Sequence, residues 1–305
     1  MRIAIAGSSG VIGSAVVSAL IDRGDEVVRL VRPETAAGGI AWDPARGAID
    51  AASLEGFDVV VNLGGRSIGE KRWTDKEKQL LWDSRVEPTR LLAAALAGLV
   101  HKPALFVSAS AIGFYGDGGD ADLTEESAAG SGFLADLTVA WEEATSGASD
   151  AGIGVAHLRT GIVLSTRGGA LGRLLAPLGP RWLSPYRWGI GGTVGRGKQW
   201  WSWISIEDEV RAILHVIDNR VTGSVNLTAP AAVTHRTFIA ALGRVLRRPT
   251  FMPIPSFVVK ILLGTELARA LVLDGQKVHP GVLTATGFEF THTDIEAGLR
   301  AAFAR

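Results

Sequence analysis

The sequence predicts an α/β fold: a doubly wound parallel sheet covered by helices on both faces, with a smaller second domain beside it. Three observations predict it. Short, continuous apolar runs rich in β-branched residues alternate with helix-length segments. A glycine-rich turn joins the first such run to the first helix, and strand signals fade after Pro230. Unbroken apolar runs, rather than alternating ones, mark strands buried on both faces of a parallel sheet.

Taken in order, Arg2–Ala6 reads as the first strand, residues 11–23 as a helix and Glu26–Val31 as the second strand. Further buried strands are predicted at 58–63, 104–108, 155–158 and 224–227, and long helices at 75–97, 133–146, Ile206–Asp218 and 234–246. Residues 168–197 are rich in Gly, Pro, Arg and Trp and carry little periodicity; beyond Pro230, helices and loops run to Arg305. The expected organisation is therefore a sheet domain from 1–167 and 198–230. A smaller substrate-side domain takes 168–197 and 231–305.

Composition removes several functions. The 305 residues are 47% hydrophobic, ample for a large core, and 31 basic residues balance 31 acidic ones. With no net field, neither nucleic acid nor an anionic membrane is an expected partner. The absence of cysteine excludes disulfides, thiolate metal sites and a cysteine nucleophile. The six histidines are scattered without His-x-x-x-His spacing, so no metal site is expected. The apolar run from Val11 to Ile21 has the look of a signal-peptide centre, but Asp22-Arg23-Gly24-Asp25 follows it, which fits a buried helix better. No run reaches the ~18–20 apolar residues of a membrane span. A cytoplasmic location is expected.

Gly7-Ser8-Ser9-Gly10-Val11-Ile12-Gly13 lies directly between the first strand and the first helix. In that context a Gly-x-x-Gly-x-x-Gly turn makes a Rossmann-like phosphate site. One glycine permits the turn, one lets backbone approach a pyrophosphate, and one lets helix and strand pack closely. The cofactor-binding set read here is Gly7, Ser9, Gly10, Val11, Ile12 and Gly13. An acid at the end of the second strand would bind a ribose 2′-hydroxyl; this chain instead has Arg32 there, with Arg29 nearby. A guanidinium pairs with a 2′-phosphate that a carboxylate would repel, so NADP(H) is the expected cofactor.

With that turn, Asn62-Leu63-Gly64-Gly65 and the run Ser108 to Gly116 (SASAIGFYG), the chain resembles the extended short-chain dehydrogenase/reductases. It is most similar to an atypical, epimerase-like branch of nucleoside-diphosphate-sugar epimerase type with a C-terminal domain of unknown function. The motifs of that branch are Lys71-Arg72-Trp73-Thr74, Ser84-Arg85, Trp141-Glu142, Leu158-Arg159-Thr160-Gly161, Trp203-Ile204 with Asp208, and the stretches from Gly275 to Pro280 and Gly287 to Phe290. The resemblance implies further cofactor contacts from Leu63, Gly64 and Arg85. Two departures affect the substrate side: extra residues around 178–190, and Ser205 where the branch usually has His.

Most of these enzymes use a Tyr-x-x-x-Lys pair beside a serine. This chain has two tyrosines, Tyr115 and Tyr186, followed four residues on by Gly119 and Ile190, so it has no such pair. Leu134 and Thr138 stand where the resemblance would put it. Ser110 matches the catalytic serine and Tyr115 is the remaining phenolic acid; these two are the expected catalytic residues. Glu125 and Glu142 are candidate acids that read first as structural or solvated, Asp208 reads as a helix N-cap, and Lys71, Arg72, Lys76 and Lys78 as a solvated face. Five of nine tryptophans fall between Trp182 and Trp203. They suit a flat substrate, a lid or a homodimer contact. Two functions remain open: an NADP(H)-dependent oxidoreductase or epimerase on a small polar or nucleotide-linked substrate, and a non-catalytic NADP(H)-binding sensor.

Overall fold

The structure is a computed structural model in which residues 1–35, 38–175, 186, 188, 189 and 191–304 are described. Its strands begin with β1 (Arg2–Ala6), β2 (Glu26–Val31), β3 (Ile40–Asp43), β4 (Ala48–Ile49), β5 (Val59–Asn62) and β6 (Leu105–Ala111). The main sheet runs Gly223–Leu227, Gly154–Thr160, β6, β5, β1, β2, β3, β4. Every pairing is parallel except β3 with β4.

The alternation of side chains along a strand explains why the apolar runs are continuous. Ile3 and Ile5 enter one hydrophobic cluster with Val16 and Leu20 of α1 (Val11–Asp22) and Ile213 and Val216 of the helix Ile206–Asp218. Ala4 and Ala6 enter another with Leu92 and Leu96 of α3 (Val86–Ala97). Both faces are thus covered. The chain moves outward from β1 to β2 on one side and from β1 to β5 and β6 on the other. Ala6 and Asn62, level in the register, flank the crevice where the order reverses. Ligands of open α/β sheets bind at such a point.

The predicted helix 75–97 is in fact two, α2 (Asp75–Asp83) and α3, broken at Ser84 and Arg85. Pro88 supplies the reason: the break leaves it in the first turn of α3, where a missing N–H leaves no hydrogen bond unmade. The N-cap reading of Asp208 is also corrected. Ser205 caps the helix by accepting from the Asp208 backbone at 3.0 Å, while the buried Asp208 carboxylate accepts from the Thr291 and His292 amides at 2.8 and 2.9 Å. It fastens the C-terminal segment to the sheet. A third group of buried residues joins Trp201 and Trp203 to Phe238, Leu242 and Leu299. Trp188 is exposed, and Trp182 lies outside the described residues. None of the described helices is long and apolar enough to cross a membrane.

Glu209 lies fully buried on the inner face of Ile206–Asp218. Its Oε1 accepts from the Thr160 hydroxyl at 2.9 Å, and Oε2 has no partner. Burial pushes its pKa up to about 8. A carboxyl raised above its unfolded value favours the fold while protonated, and that contribution is lost as pH climbs from the normal carboxylate range toward 8. Glu209→Gln should therefore flatten the decline in stability over that window, adding on the order of a few kcal/mol near its upper end. Urea unfolding at a series of pH values measures it; parallel pH profiles for the two proteins contradict it.

Candidate active site

Two of the three turn glycines are fixed by contact. Gly7 has φ +76°, and a Cβ there would lie 2.4 Å from the Leu63 carbonyl carbon and 2.6 Å from the Gly64 nitrogen. A Cβ on Gly13 would lie 2.2 Å from the Gly7 oxygen. Backbone therefore rests directly on backbone, locking the turn to the loop leaving β5. Gly10 closes the turn by donating to the Gly7 oxygen at 3.1 Å, and a Cβ there would meet only that oxygen, at an ordinary contact of 3.5 Å. It precedes α1 without offering a side-chain cap, and the first turn of α1 holds no acid. The amides of that turn and the helix dipole are left to an anion. Ser9 is exposed at the rim, Val11 and Ile12 are half-buried, and Gly13 lies beneath. Arg32 is exposed just past the end of β2 on the same edge of the sheet.

The β5 exit is held from below. Buried Asn62 donates to the Thr89 hydroxyl at 2.9 Å and accepts from the Gly64 amide at 3.2 Å, while Trp141 also donates to Thr89 at 2.9 Å. Arg85 donates to the carbonyls of Leu81 and Arg66 and to Ser84 Oγ, and stacks over the Trp141 ring at 5.2 Å. Burial alone draws its pKa down to about 10. Its guanidinium would sit 3.3 Å from a Cβ at Gly65, so the missing side chain there leaves the charge close to the loop Gly64-Gly65.

Ser110 and Tyr115 belong to one buried network. Ser110 donates to Glu142 at 2.6 Å, and Glu142 takes two bonds of 2.9 Å from Arg159. Arg159 also donates to the Tyr115 hydroxyl at 3.1 Å, and that hydroxyl donates to Asn226 at 2.7 Å. Tyr115 is only 3% exposed, and burial raises its pKa despite the neighbouring Arg159. Burial also works against the Glu142 charge, but the bonds from Arg159 and Ser110 outweigh it and hold the carboxyl below its usual range. Leu134 packs where a Cβ of Gly113 would be, and Thr138 turns its hydroxyl back to the Leu134 carbonyl at 2.7 Å. The predicted pair is thus brought together with Glu142, Arg159 and Asn226. The sequence marks Arg159 only as part of the Leu158–Gly161 motif and Asn226 not at all, although a charged Arg159 inside an apolar strand is a visible anomaly. Among the described residues, no group of three His, Asp or Glu could hold a metal ion.

The expected solvated face of α2 is partly engaged: Arg72 donates to the Leu262 carbonyl at 3.0 Å and Lys78 pairs with Glu266.

The sequence profile of the NAD dependent epimerase/dehydratase family matches residues 3–228. The chain belongs to this family. A second profile, a Domain of unknown function (DUF1731), matches residues 254–302. Epimerase family protein ML0860 of Mycobacterium leprae is 43% identical over 305 residues, covering 99% of this chain and 96% of its own. The crystal structure of human epimerase family protein SDR39U1 (isoform 2) with NADPH superposes with a TM-score of 0.88 at 34% identity, covering 99% of both chains. The nucleoside-diphosphate sugar epimerase from Corynebacterium glutamicum gives 0.77 at 35% identity, covering 98% of this chain and 57% of that one. The fold is the NAD(P)-binding fold of the epimerases and short-chain dehydrogenase/reductases.

If Arg32 reads the 2′-phosphate, Arg32→Glu should weaken NADPH on the order of 10- to 100-fold while changing NADH little. Fluorescence titration with both nucleotides measures this; equal losses defeat the assignment.

Proposed function

We propose that this protein is an NADP(H)-dependent oxidoreductase or epimerase acting on a small polar or nucleotide-linked carbonyl compound. The observation that carries it is the uncapped first turn of α1 behind glycines whose contacts admit no Cβ, with Arg32 on the same edge. The amides of Ser9, Val11, Ile12 and Gly13 would hold the pyrophosphate, with Gly10 keeping the turn closed beneath it, and Arg32 the 2′-phosphate. Leu63 and Gly64 would line the nucleotide, with the charge of Arg85 behind them. Support also comes from human SDR39U1, which shares 34% identity and was crystallised with NADPH. When bound, the nicotinamide supplies or accepts a hydride at the substrate carbon.

The chain's own task is to orient the substrate and move a proton. Ser110 is the proposed contact to the substrate oxygen. Its hydrogen is engaged by Glu142, so binding requires the hydroxyl to exchange Glu142 for the substrate. Arg159 then keeps Glu142 ionised and in place. Tyr115, tied to Arg159 and Asn226, is the proposed phenolic partner and acts by setting the charge around Ser110 unless its own bonds open. The same commitments favour a second reading, an NADP(H) sensor without turnover, because every hydroxyl of the expected catalytic set already has a protein partner.

The two readings separate in one assay. Purified protein is offered a panel of carbonyl compounds with NADPH and a panel of sugar nucleotides with NADP⁺, following cofactor absorbance and product formation. Turnover that falls ~10²–10⁴-fold in Ser110→Ala, with NADPH affinity intact, supports the enzyme and the role of Ser110. A similar fall in Tyr115→Phe extends the site to the phenol. Tight NADPH binding with no turnover on any compound favours the sensor.

A further inference from the structure

The loop between the strand Ile162–Leu164 and the helix Gly169–Leu175 returns to the start of α1. A Cβ on Gly168 would lie 2.9 Å from Cγ2 of Val11, the first residue of α1. Arg167, one residue earlier, therefore stands beside the glycine turn, far from it in sequence but next to it in the fold.

The main chain on both sides of Arg167 is fixed. Ser165 and Thr166 are buried; Ser165 Oγ accepts from the Arg167 amide at 3.2 Å, and the Thr166 hydroxyl donates to the Ala302 carbonyl at 3.2 Å. Beyond Gly168, Gly169 at φ +69° turns the chain into its helix. Arg167 itself is exposed, and none of the carboxylates among the described residues pairs with it. The charge around it is one-sided. From Ala151 to Ile206 the sequence contains no Asp or Glu, and the first turn of α1 has none either. Arg85, the other guanidinium near the crevice, already donates to the carbonyls of Leu81 and Arg66 and to Ser84.

We propose that Arg167 is a further cofactor-binding residue, holding the pyrophosphate of the dinucleotide against the open amides of α1. Its Cα lies ~3.8 Å from that of Gly168, and its long stem carries the guanidinium further, within reach of an anion held over Val11. A guanidinium meets two phosphate oxygens with parallel N–H donors and brings a full charge, where each amide of the turn brings one donor and a partial charge. The pyrophosphate is common to NADPH and NADH, so Arg167 adds affinity without choosing between them, unlike Arg32. The inference rests on the dinucleotide reading above.

Fluorescence titration of wild type and Arg167→Ala with NADPH and with NADH tests it, alongside competition by ADP-ribose, which keeps the pyrophosphate and lacks the nicotinamide. Affinity for all three should fall by one common factor, ~10- to 100-fold, and the loss should shrink as salt is raised. Arg167→Lys should recover part of it, and the melting temperature without nucleotide should not move. A loss confined to NADPH assigns the cation to the 2′-phosphate and overturns the proposal. Unchanged affinity for both dinucleotides in Arg167→Ala overturns it while leaving the glycine-turn site standing. A wild type that binds neither dinucleotide removes both.

Discussion

The organising constraint is a contact between two stretches of main chain at the carboxyl edge of the sheet. The turn after β1 and the exit from β5 approach so closely that Gly7 leaves no room for a single added carbon, and α1 packs on the turn so closely that Gly13 leaves none either. That approach sets where α1 begins, and therefore where its unpaired amides point. Asn62, Thr89 and Trp141 support the contact from within the core, bonding the β5 exit to α3 and to the helix Phe133–Glu143. The glycine turn is thus backed by a buried polar lattice rather than left as an isolated loop.

The interior beside β6 departs from the family's usual chemistry in a physically consistent way. Where a tyrosine and lysine would share a proton, Leu134 fills space and Thr138 satisfies itself on its own helix. The charge has moved one strand over, to Arg159, whose guanidinium lies 3.5 Å over the Phe114 ring and is paired with Glu142. A buried ion pair of this kind is costly to break from one side, since the remaining charge would be stranded. It therefore fixes the surrounding hydroxyls firmly.

Local signals made much of this legible before any coordinates. The two-sided burial of β1 and β5 requires their unbroken apolar composition, and the glycine turn is contiguous in sequence, so the sheet and the tight turn into α1 could both be read directly. Boundaries were harder: Pro88 is the one local mark of the break at Ser84 and Arg85, and the helix-favouring residues on either side of it conceal the boundary. The polar network was the least visible part. Ser110 and Glu142 are 32 residues apart, and Tyr115 and Asn226 are 111 apart, so their pairing exists only once the sheet has assembled. Asp208 was misread for a related reason, since the partners of its carboxylate lie more than 80 residues downstream.

Adjacent residues of α2 face in two directions. Glu77 holds Arg66, on the loop that follows the β5 exit, while Lys78 holds Glu266 just after the helix Ser256–Leu263. One short rod therefore joins the loop beside the crevice to the C-terminal surface, gripped by opposite charges at neighbouring positions.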